Sequence, residues 1–213
     1  MNVRRSGSNH KLISSQLTAV GLLTLAFWRS APCPADELSM AALGPRNAAL
    51  ARYELRIDKS DRELAVYDRG QPVRRFRIST GRGGPGDKRR EGDKHTPVGT
   101  YRIVDFNPKS RFHLFMQINY PNAKDAFYGL KQGVIDRADF DRIVNALKNR
   151  HIPPQDTPLG SAIGIHGLGW VDDLKLRTHE VLDWTEGCIA LTNEEVDELR
   201  RYVDIGTRVV ITE

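Results

Sequence analysis

Residues 53–68 read YELRIDKSDRELAVYD. Apolar and polar side chains alternate over 53–58 and again over 63–68, which is the period of a β-strand with one buried face. The polar cluster at 59–62, between the two runs, is typical of a turn. The segment therefore predicts an antiparallel hairpin near the start of a folded domain.

Further strands and two helices are predicted after this hairpin. The other predicted strands are 73–80, 101–104, 113–119, 161–166 and 208–211. Asp136 is expected to cap a helix that starts at Arg137. Thr192 and Glu195 have the spacing of a capping box at the start of a second helix. The sequence therefore predicts a mostly β, α+β fold with two or three helices.

The N-terminal segment has a different composition from the rest. A positively charged start, with Arg4, Arg5 and Lys11, precedes a mostly apolar stretch over 12–28, and small residues and prolines follow. This order predicts a secretory signal over 1–35 or an uncleaved anchor that would tether the protein to a membrane. Residues 36–51 are expected to form a linker, and 52–213 a single exported domain.

The net charge of +5 lies mostly in that N-terminal segment. Residues 1–35 contain four basic residues and no acidic one. Without these four of the 32 lysines and arginines, 28 basic residues stand against 27 acidic ones. A folded domain that binds nucleic acid has a basic surface of its own. The charge distribution therefore argues against nucleic acid as a partner.

The sequence WTEGCIAL at 184–191 carries the clearest chemical signal. Cys188 follows Gly187, which lets the backbone take unusual dihedrals and approach a substrate closely. Backbone N–H groups at such a turn can stabilise an oxyanion. A free thiol has a pKa of about 8.5, so it needs a neighbouring imidazole to act as a nucleophile at neutral pH. The alternative interpretation is a buried, inert cysteine.

A histidine strengthens the catalytic interpretation of this cysteine. The apolar run 161–165 ends in His166, which a glycine follows. A single histidine is often structural, but a His-Gly and a Gly-Cys element at two strand ends together favour a catalytic pair. If the leader is cleaved, Cys33 leaves with it and Cys188 is the last thiol. A single thiol in an exported domain is a candidate reactive group.

Metal and phosphate sites are not indicated by the sequence. The histidines and Cys188 show no His-x-x-x-His or Cys-x-x-Cys spacing, so no zinc and no other cofactor is predicted. The glycine-rich segment 81–95 lacks the order of a phosphate-binding loop, and Asp87 would repel phosphate. This segment is expected to form a loop at the surface or at the edge of a cleft.

Three motifs follow one another along the chain. They are GDKHTPVGTY at 92–101, IHG at 165–167 and TEGC at 185–188. This order resembles the L,D-transpeptidase catalytic domain of the YkuD or ErfK/YbiS type, over roughly residues 52–212. Because Glu91 precedes the first motif, the YafK-like subgroup is the most similar one.

The resemblance implies a sandwich-like or barrel-like β domain that acts on the stem peptides of peptidoglycan. Cys188 would be the nucleophile that cleaves the bond between an L- and a D-centre, and His166 the general base and later the acid. The N–H groups of Gly187 and Cys188 would bind the oxyanion. The supporting residues would be Thr185, Glu186 and Gly167. A thioester would form on Cys188, and its acyl group would pass to an amine in the cell envelope, which frees the thiol.

The chain departs from the family pattern in three places. Glu186 stands where the family usually has histidine, and its backbone carbonyl or its carboxylate would orient His166. The long spacing from His166 to Thr185 predicts an inserted lid. Residues 189–190 lack the Arg or Asn often found after the cysteine, so recognition of the stem carboxylate is expected to differ. Two other functions stay open: an L,D-carboxypeptidase or amidase with water as acceptor, and a wall-binding module without activity.

Overall fold

The computed structural model describes residues 52–213. The predictions on residues 1–51, the leader and the linker, lie outside this part of the chain. Within it, eight strands, four α-helices and one 3₁₀ turn follow one another. They are β1 (Tyr53–Asp58), β2 (Glu63–Asp68), β3 (Gln71–Arg77), β4 (Gly99–Ser110), β5 (His113–Ile118), α1 (Ala123–Lys131), α2 (Arg137–Lys148), β6 (Gly164–His166), α3 (Asp173–Val181), β7 (Ile189–Ala190), α4 (Asn193–Leu199), the 3₁₀ turn Arg200–Tyr202 and β8 (Arg208–Thr212).

The strands form one mixed sheet in the order β3-β2-β1-β8-β4-β5-β6-β7. The pairs β1–β8 and β6–β7 are parallel, and the other neighbouring pairs are antiparallel. The predicted hairpin is β1–β2, in which Leu55 lies opposite Val66. The last strand of the chain therefore lies inside the sheet, beside the first one. The predicted mostly β, α+β fold class is confirmed.

The two ends of this sheet meet. Ser79, just after β3, bridges to Ala190 of β7 through two backbone hydrogen bonds of 3.0 and 2.8 Å. A second bridge joins Gly81 to Thr185, where the Arg82 N–H donates to the Thr185 carbonyl at 2.9 Å. Because these bridges close the sheet on itself, the arrangement is barrel-like. They also hold the segment before Cys188 against the chain that leaves β3.

One apolar core fills the fold. In β1, Leu55 and Ile57 are buried and Arg56 between them is exposed, as the alternation predicts. Helix α2 adds Ile143 and Leu147 to the same core. In the described part of the chain, no helix is both long and apolar enough to cross a bilayer.

Both predicted helix starts are confirmed. Asp136 caps α2 by accepting the Asp139 N–H at 2.8 Å. Thr192 and Glu195 form the expected capping box: the Thr192 hydroxyl accepts the Glu195 N–H at 3.2 Å, and the Glu195 carboxylate accepts the Thr192 N–H at 3.0 Å. The cap Thr192 lies two residues after β7 ends, so the helix start follows closely on the strand next to Cys188.

Several predicted element bounds were wrong. The described chain has four helices instead of two or three, because α1 and α3 were missed. Helix α1 is capped by an Asn122–Asp125 box, a variant of the Ser/Thr–Glu pattern. The strand predicted at 101–104 is part of the twelve-residue β4, and the one predicted at 161–166 shrinks to Gly164–His166.

Candidate active site

Cys188 immediately precedes β7 and is half-buried. Its thiol donates a hydrogen bond to the Ala162 carbonyl, with sulfur and oxygen 3.4 Å apart. The backbone of Gly164 also hydrogen-bonds to the sulfur. Both partners lie where the chain enters β6, the strand that ends in His166. The sulfur therefore packs against the strand of the predicted base.

Thr185 and Gly187 shape the turn before the cysteine. The Thr185 hydroxyl donates to the Cys188 carbonyl at 2.7 Å and accepts the Gly187 N–H at 3.1 Å. Gly187 has a φ of 128°, and a Cβ on it would lie 2.8 Å from the His95 carbonyl oxygen. The dihedral and the close approach both require glycine. Three residues of the TEGC motif, Thr185, Gly187 and Cys188, therefore form this turn.

One part of the predicted oxyanion hole is not available. The Gly187 N–H already donates to the Thr185 hydroxyl. A backbone N–H has a single proton and makes one strong hydrogen bond, so this group does not face a reacting carbonyl in the present structure. The prediction for Gly187 as an oxyanion donor therefore disagrees with this geometry. The Cys188 N–H stays a predicted donor.

His166 is buried in an aromatic box, with only 2% of its surface exposed. Its ring stacks on Phe112 with centroids 4.4 Å apart and lies parallel to Phe115 at 6.2 Å. Trp184 meets the ring edge-on at 6.3 Å. Stacked and edge-on contacts of this kind fix both the plane and the position of a ring.

A backbone carbonyl orients the imidazole within that plane. The His166 Nδ1 lies 2.7 Å from the Gly167 carbonyl oxygen. A carbonyl can only accept, so Nδ1 carries the proton and the neutral ring presents its lone pair at Nε2. Gly167 itself is closely packed, since a Cβ there would lie 2.6 Å from the Asn193 side-chain oxygen. The His-Gly element therefore supplies both the imidazole and the group that sets its tautomer.

Strand register places the segments of the cysteine and the histidine next to each other in the sheet. In the parallel pair β6–β7, Ile165 lies beside Ile189 and His166 beside Ala190. Cys188 lies two residues before Ala190, directly before β7 begins. His166 at the end of β6 and Cys188 directly before β7 therefore lie on neighbouring segments of the sheet, although they are 22 residues apart in sequence.

Burial keeps both members of the pair neutral at rest. It raises the pKa of Cys188 to about 11, against a backbone hydrogen bond from Gly164 and the positive charge of Lys88, which lower it. It lowers the pKa of His166 to about 4, against the hydrogen bond to Gly167. A thiol and a neutral imidazole are therefore the resting species at neutral pH. An imidazole can activate a thiol by taking its proton during attack or by forming an ion pair with it beforehand. The neutral resting species favour proton transfer to Nε2 during attack.

Comparison with known families identifies this arrangement. The profile of the YkuD family, described as the L,D-transpeptidase catalytic domain, matches residues 52–211. The chain belongs to this family. The match covers the His-Gly and Gly-Cys elements as well as the glycine-rich segment before them, so the resemblance predicted from the three motifs is confirmed.

Curated relatives of this L,D-transpeptidase-family chain come from Escherichia coli. The protein named "Putative L,D-transpeptidase YafK" of strain K12 is 25% identical over 155 residues, which cover 70% of this chain and 46% of that protein. The same figures hold for the protein of strain O157:H7. The chain thus spans about half the length of the curated relatives it matches. The predicted similarity to YafK-like proteins is confirmed.

Two of the solved structures that match this chain are of bacterial proteins. Bd1075 of Bdellovibrio bacteriovorus is 21% identical, with a TM-score of 0.49, over 78% of this chain and 49% of that one. The helical cell shape determining protein Pgp2 of Campylobacter jejuni is 24% identical, with a TM-score of 0.47, over 84% and 55% of the two chains.

Glu186, the family-atypical residue, pairs with a residue other than the predicted base His166. Its side chain is 65% exposed and pairs with the Arg82 guanidinium. Of the two predicted ways for residue 186 to orient His166, the carboxylate route is therefore wrong. The carbonyl that accepts the His166 Nδ1–H belongs to Gly167. The backbone carbonyl that orients His166 is therefore that of Gly167 and not that of residue 186.

The predicted insertion between the two catalytic elements contains a helix. This insertion, residues 168–184, includes α3, and its Trp170 and Leu174 are 77% and 74% exposed. The Lys175 ammonium holds its first part by donating to the Trp170 carbonyl at 3.0 Å and to the Leu168 carbonyl. Whether this insertion acts as a lid stays a prediction.

Sequence analysis missed the residues that contact His166 and the chain directly after it. Phe112 and Phe115 lie in and beside the β4–β5 hairpin, where no motif singled them out. Asn193 clamps Gly169 by accepting its N–H at 2.9 Å and donating to its carbonyl at 2.8 Å. The sequence feature that could have identified Asn193 is its position directly after the helix cap Thr192.

Three further histidines, His95, His113 and His179, have structural partners. His179 lies against the Ser79 hydroxyl at 2.9 Å, and His113 against Asp197 at 2.9 Å. His95 lies 3.2 Å from the Gly84 carbonyl. Across residues 52–213, no group of three or more His, Cys, Asp or Glu side chains is placed to hold a metal ion.

Proposed function

We propose that this chain is a peptidoglycan L,D-transpeptidase in which Cys188 is the nucleophile and His166 the general base. The observation that carries the proposal is the His166 Nδ1–H bond to Gly167, made on a strand that pairs in parallel with the strand after Cys188. It leaves Nε2 as the basic atom of the imidazole. Membership of the L,D-transpeptidase family supplies the substrate class, the stem peptides of peptidoglycan.

In the first step the thiol attacks the carbonyl carbon of the bond between an L- and a D-centre of the stem. The thiol proton moves to His166 Nε2 as the carbon–sulfur bond forms. The oxyanion of the tetrahedral intermediate is stabilised by the Cys188 N–H. The carbon–nitrogen bond then breaks, the imidazolium protonates the leaving amine, and a thioester on Cys188 results.

In the second step an acceptor resolves the thioester. An amine attacks the thioester carbonyl, Nε2 takes its proton, and the sulfur leaves and is reprotonated. An amine from another stem gives a cross-link. Water in the same position gives a free acid, which is the carboxypeptidase or amidase reaction. Because peptidoglycan lies outside the cytoplasmic membrane, we place this activity in the cell envelope, consistent with the leader predicted for residues 1–35.

Mass spectrometry of the purified protein with diaminopimelate-containing tetrapeptide stems tests the proposal. We expect a covalent adduct on Cys188, and a cross-linked product when an amine acceptor is added. The Cys188→Ala variant should fold normally and form neither. His166→Ala should form the adduct far more slowly.

Three results would change the conclusion. A free acid in the presence of amine would identify water as the acceptor and the chain as a hydrolase. No adduct with the unchanged protein would support a wall-binding module without activity. Normal acylation by the alanine variant of His166 would remove that residue as the base.

A further inference from the structure

The carbonyl that faces the Cys188 sulfur belongs to a residue with an unusual backbone conformation. Ala162 has a φ of 51°, in the left-handed region that residues other than glycine seldom adopt. Its carbonyl oxygen lies 3.4 Å from the sulfur and accepts the hydrogen bond that the thiol donates. Such a conformation persists only where surrounding groups hold it, and it is frequent at functional sites. The groups that hold Ala162 therefore also determine where the acceptor of the thiol lies.

The Gln155 side chain holds the Ala162 backbone. Its Oε1 accepts the Ala162 N–H at 2.7 Å. Its Nε2 donates to the carbonyls of Tyr120 and Pro153, both at 2.9 Å. The Gln117 side chain donates to the same Oε1 at 3.2 Å. Since a backbone N–H can only donate and a backbone carbonyl can only accept, these partners allow one orientation of the Gln155 amide.

Every hydrogen-bonding position of this half-buried amide is occupied. Oε1 has two lone pairs and Nε2 has two protons, and the four partners use all of them. The partners lie on β5, in the chain before α1 and in the segment 153–162 that leads to β6. A hydrogen-bond network in which each member is satisfied is rigid. Gln155 therefore fixes the segment that carries the Ala162 carbonyl relative to β5.

This placement decides where the thiol proton points. A thiol has one proton, and the Ala162 carbonyl accepts it in the structure. The proposed reaction needs the same proton at His166 Nε2, so the thiol has to leave the Ala162 carbonyl before attack. A hydrogen bond to the neutral form of an acid also disfavours its ionised form. The carbonyl therefore favours the resting thiol in two ways, by direction and by charge state.

We propose that Gln155 is a positioning residue, which through the carbonyl of Ala162 holds the Cys188 thiol in a protonated resting orientation. The inference rests on the proposed role of Cys188 as the nucleophile. It implies that the thiol leaves Ala162 before its proton passes to His166. Sequence analysis placed Ala162 in a strand and did not identify Gln155.

Infrared spectroscopy of the S–H stretching band, in the full chain, tests the proposal. The band shifts to lower frequency when a thiol donates a hydrogen bond, and a thiol compound in an apolar solvent gives the frequency of free S–H. Subtraction of the Cys188→Ala spectrum removes the contribution of Cys33. Gln155→Met keeps a long side chain but removes its hydrogen bonds, whereas Gln155→Glu keeps an acceptor for the Ala162 N–H.

A second measurement and a matched control accompany the spectra. The measurement is the rate of Cys188 alkylation by iodoacetamide at slightly alkaline pH, with peptide mapping to separate Cys188 from Cys33. The control is Asn107→Ala, because the Asn107 side-chain oxygen also accepts a backbone N–H, that of Lys109, at 3.0 Å in the β4–β5 hairpin.

We expect the S–H band of the unchanged protein to lie below the frequency of free S–H. In Gln155→Met the band should shift upward, and alkylation should be about threefold faster, since one weak hydrogen bond to the thiol is lost. Gln155→Glu and Asn107→Ala should keep the band of the unchanged protein and should not be alkylated faster.

Three results would overturn the proposal. The first is a band of the unchanged protein at the frequency of free S–H, which decides even if Gln155→Met does not fold. The second is an unshifted band in Gln155→Met. The third is an equal upward shift in Gln155→Glu or Asn107→Ala. Neither measurement contains peptidoglycan, so these outcomes are distinct from a failure of the proposed reaction, which the experiment with stem peptides detects.

Discussion

Two irregular segments lie near the predicted catalytic residues, and each is organised by one charged side chain, negative in one segment and positive in the other. In the loop 79–98, the Asp93 carboxylate collects three backbone N–H groups and the Lys88 ammonium. In the insertion 168–184, the Arg62 guanidinium donates to three backbone carbonyls, those of His179, Glu180 and Leu182, at 2.8 to 3.1 Å. It also lies 3.3 Å from the Asp183 carboxylate.

The difference follows from which backbone groups lack partners. The turns of the loop leave N–H groups unpaired, and a carboxylate satisfies them. The end of helix α3 leaves carbonyls unpaired, and a guanidinium satisfies those and complements the negative end of the helix dipole. The loop contact is buried with its lysine, whereas the insertion exposes Trp170 and Leu174 to solvent. We therefore expect the loop 79–98 to be more rigid than the insertion 168–184.

Removal of the Asp93 carboxylate should have the largest effect. Asp93→Ala leaves the buried Lys88 ammonium without its counter-ion, so we expect a loss of about 3–5 kcal/mol in the free energy of unfolding. Urea denaturation measures it. The exposed pair of Asp156 with Arg142 provides the control, since Asp156→Ala should be nearly neutral. Equal losses in the two variants would mean that the loop carboxylate is no more important than a surface one.

The free energy of unfolding should depend on pH through His166, which is buried among the rings of Phe112, Phe115 and Trp184. Its pKa is lowered to about 4 in the folded protein, so between pH 6.5 and 4 only the unfolded chain takes up the proton. Stability conferred by this residue should therefore fall by about 3 kcal/mol as the pH drops through that range. The difference in unfolding free energy between the unchanged protein and His166→Gln, followed against pH, isolates the effect. A difference that does not vary with pH would contradict a buried neutral imidazole.

On the insertion side, we expect Arg62→Met to cost less than the aspartate variant. Three carbonyls lose a donor, but water can reach part of this segment, so the expected loss is about 2 kcal/mol. Amide exchange over residues 173–185 should rise before the rest of the domain responds. Arg77→Met is the comparison variant, since Arg77 donates to the Glu180 carbonyl alone, at 3.1 Å. Slower exchange at α3 in Arg62→Met than in Arg77→Met would show that Arg62 is not the anchor.

The smallest effect is expected at Glu186, which pairs at the surface with Arg82 of the loop 79–98. An exposed ion pair contributes little, so Glu186→Gln should change the turnover rate by less than about twofold and leave the melting temperature nearly unchanged. A pH–rate profile gives the sensitive comparison. A near-complete loss of activity would make Glu186 a third member of the catalytic group.

Sequence patterns predicted the regular half of the fold well. Alternation gave the β1–β2 hairpin to the residue, and the Thr192–Glu195 spacing gave the start of α4. Helices α1 and α3 were missed because one uses an unusual Asn–Asp capping box and the other has an exposed apolar face, so neither shows the common pattern. Buried charge in the loop was also missed, because the segment 81–95 has a composition typical of solvated loops.

The amino-acid sequence by itself determined the candidate nucleophile and base, Cys188 and His166, and the glycines beside them, because thiol, imidazole and the absence of a Cβ are properties of residue types. The tertiary structure decided what those groups do. The Gly167 carbonyl sets the tautomer of His166, the Thr185 hydroxyl takes the Gly187 N–H, and burial holds the pair neutral. Tautomer and charge state depend on which atoms approach within hydrogen-bond distance and on how much water they displace. Those distances are fixed by strand register and by the closure of the sheet, which no local pattern contains.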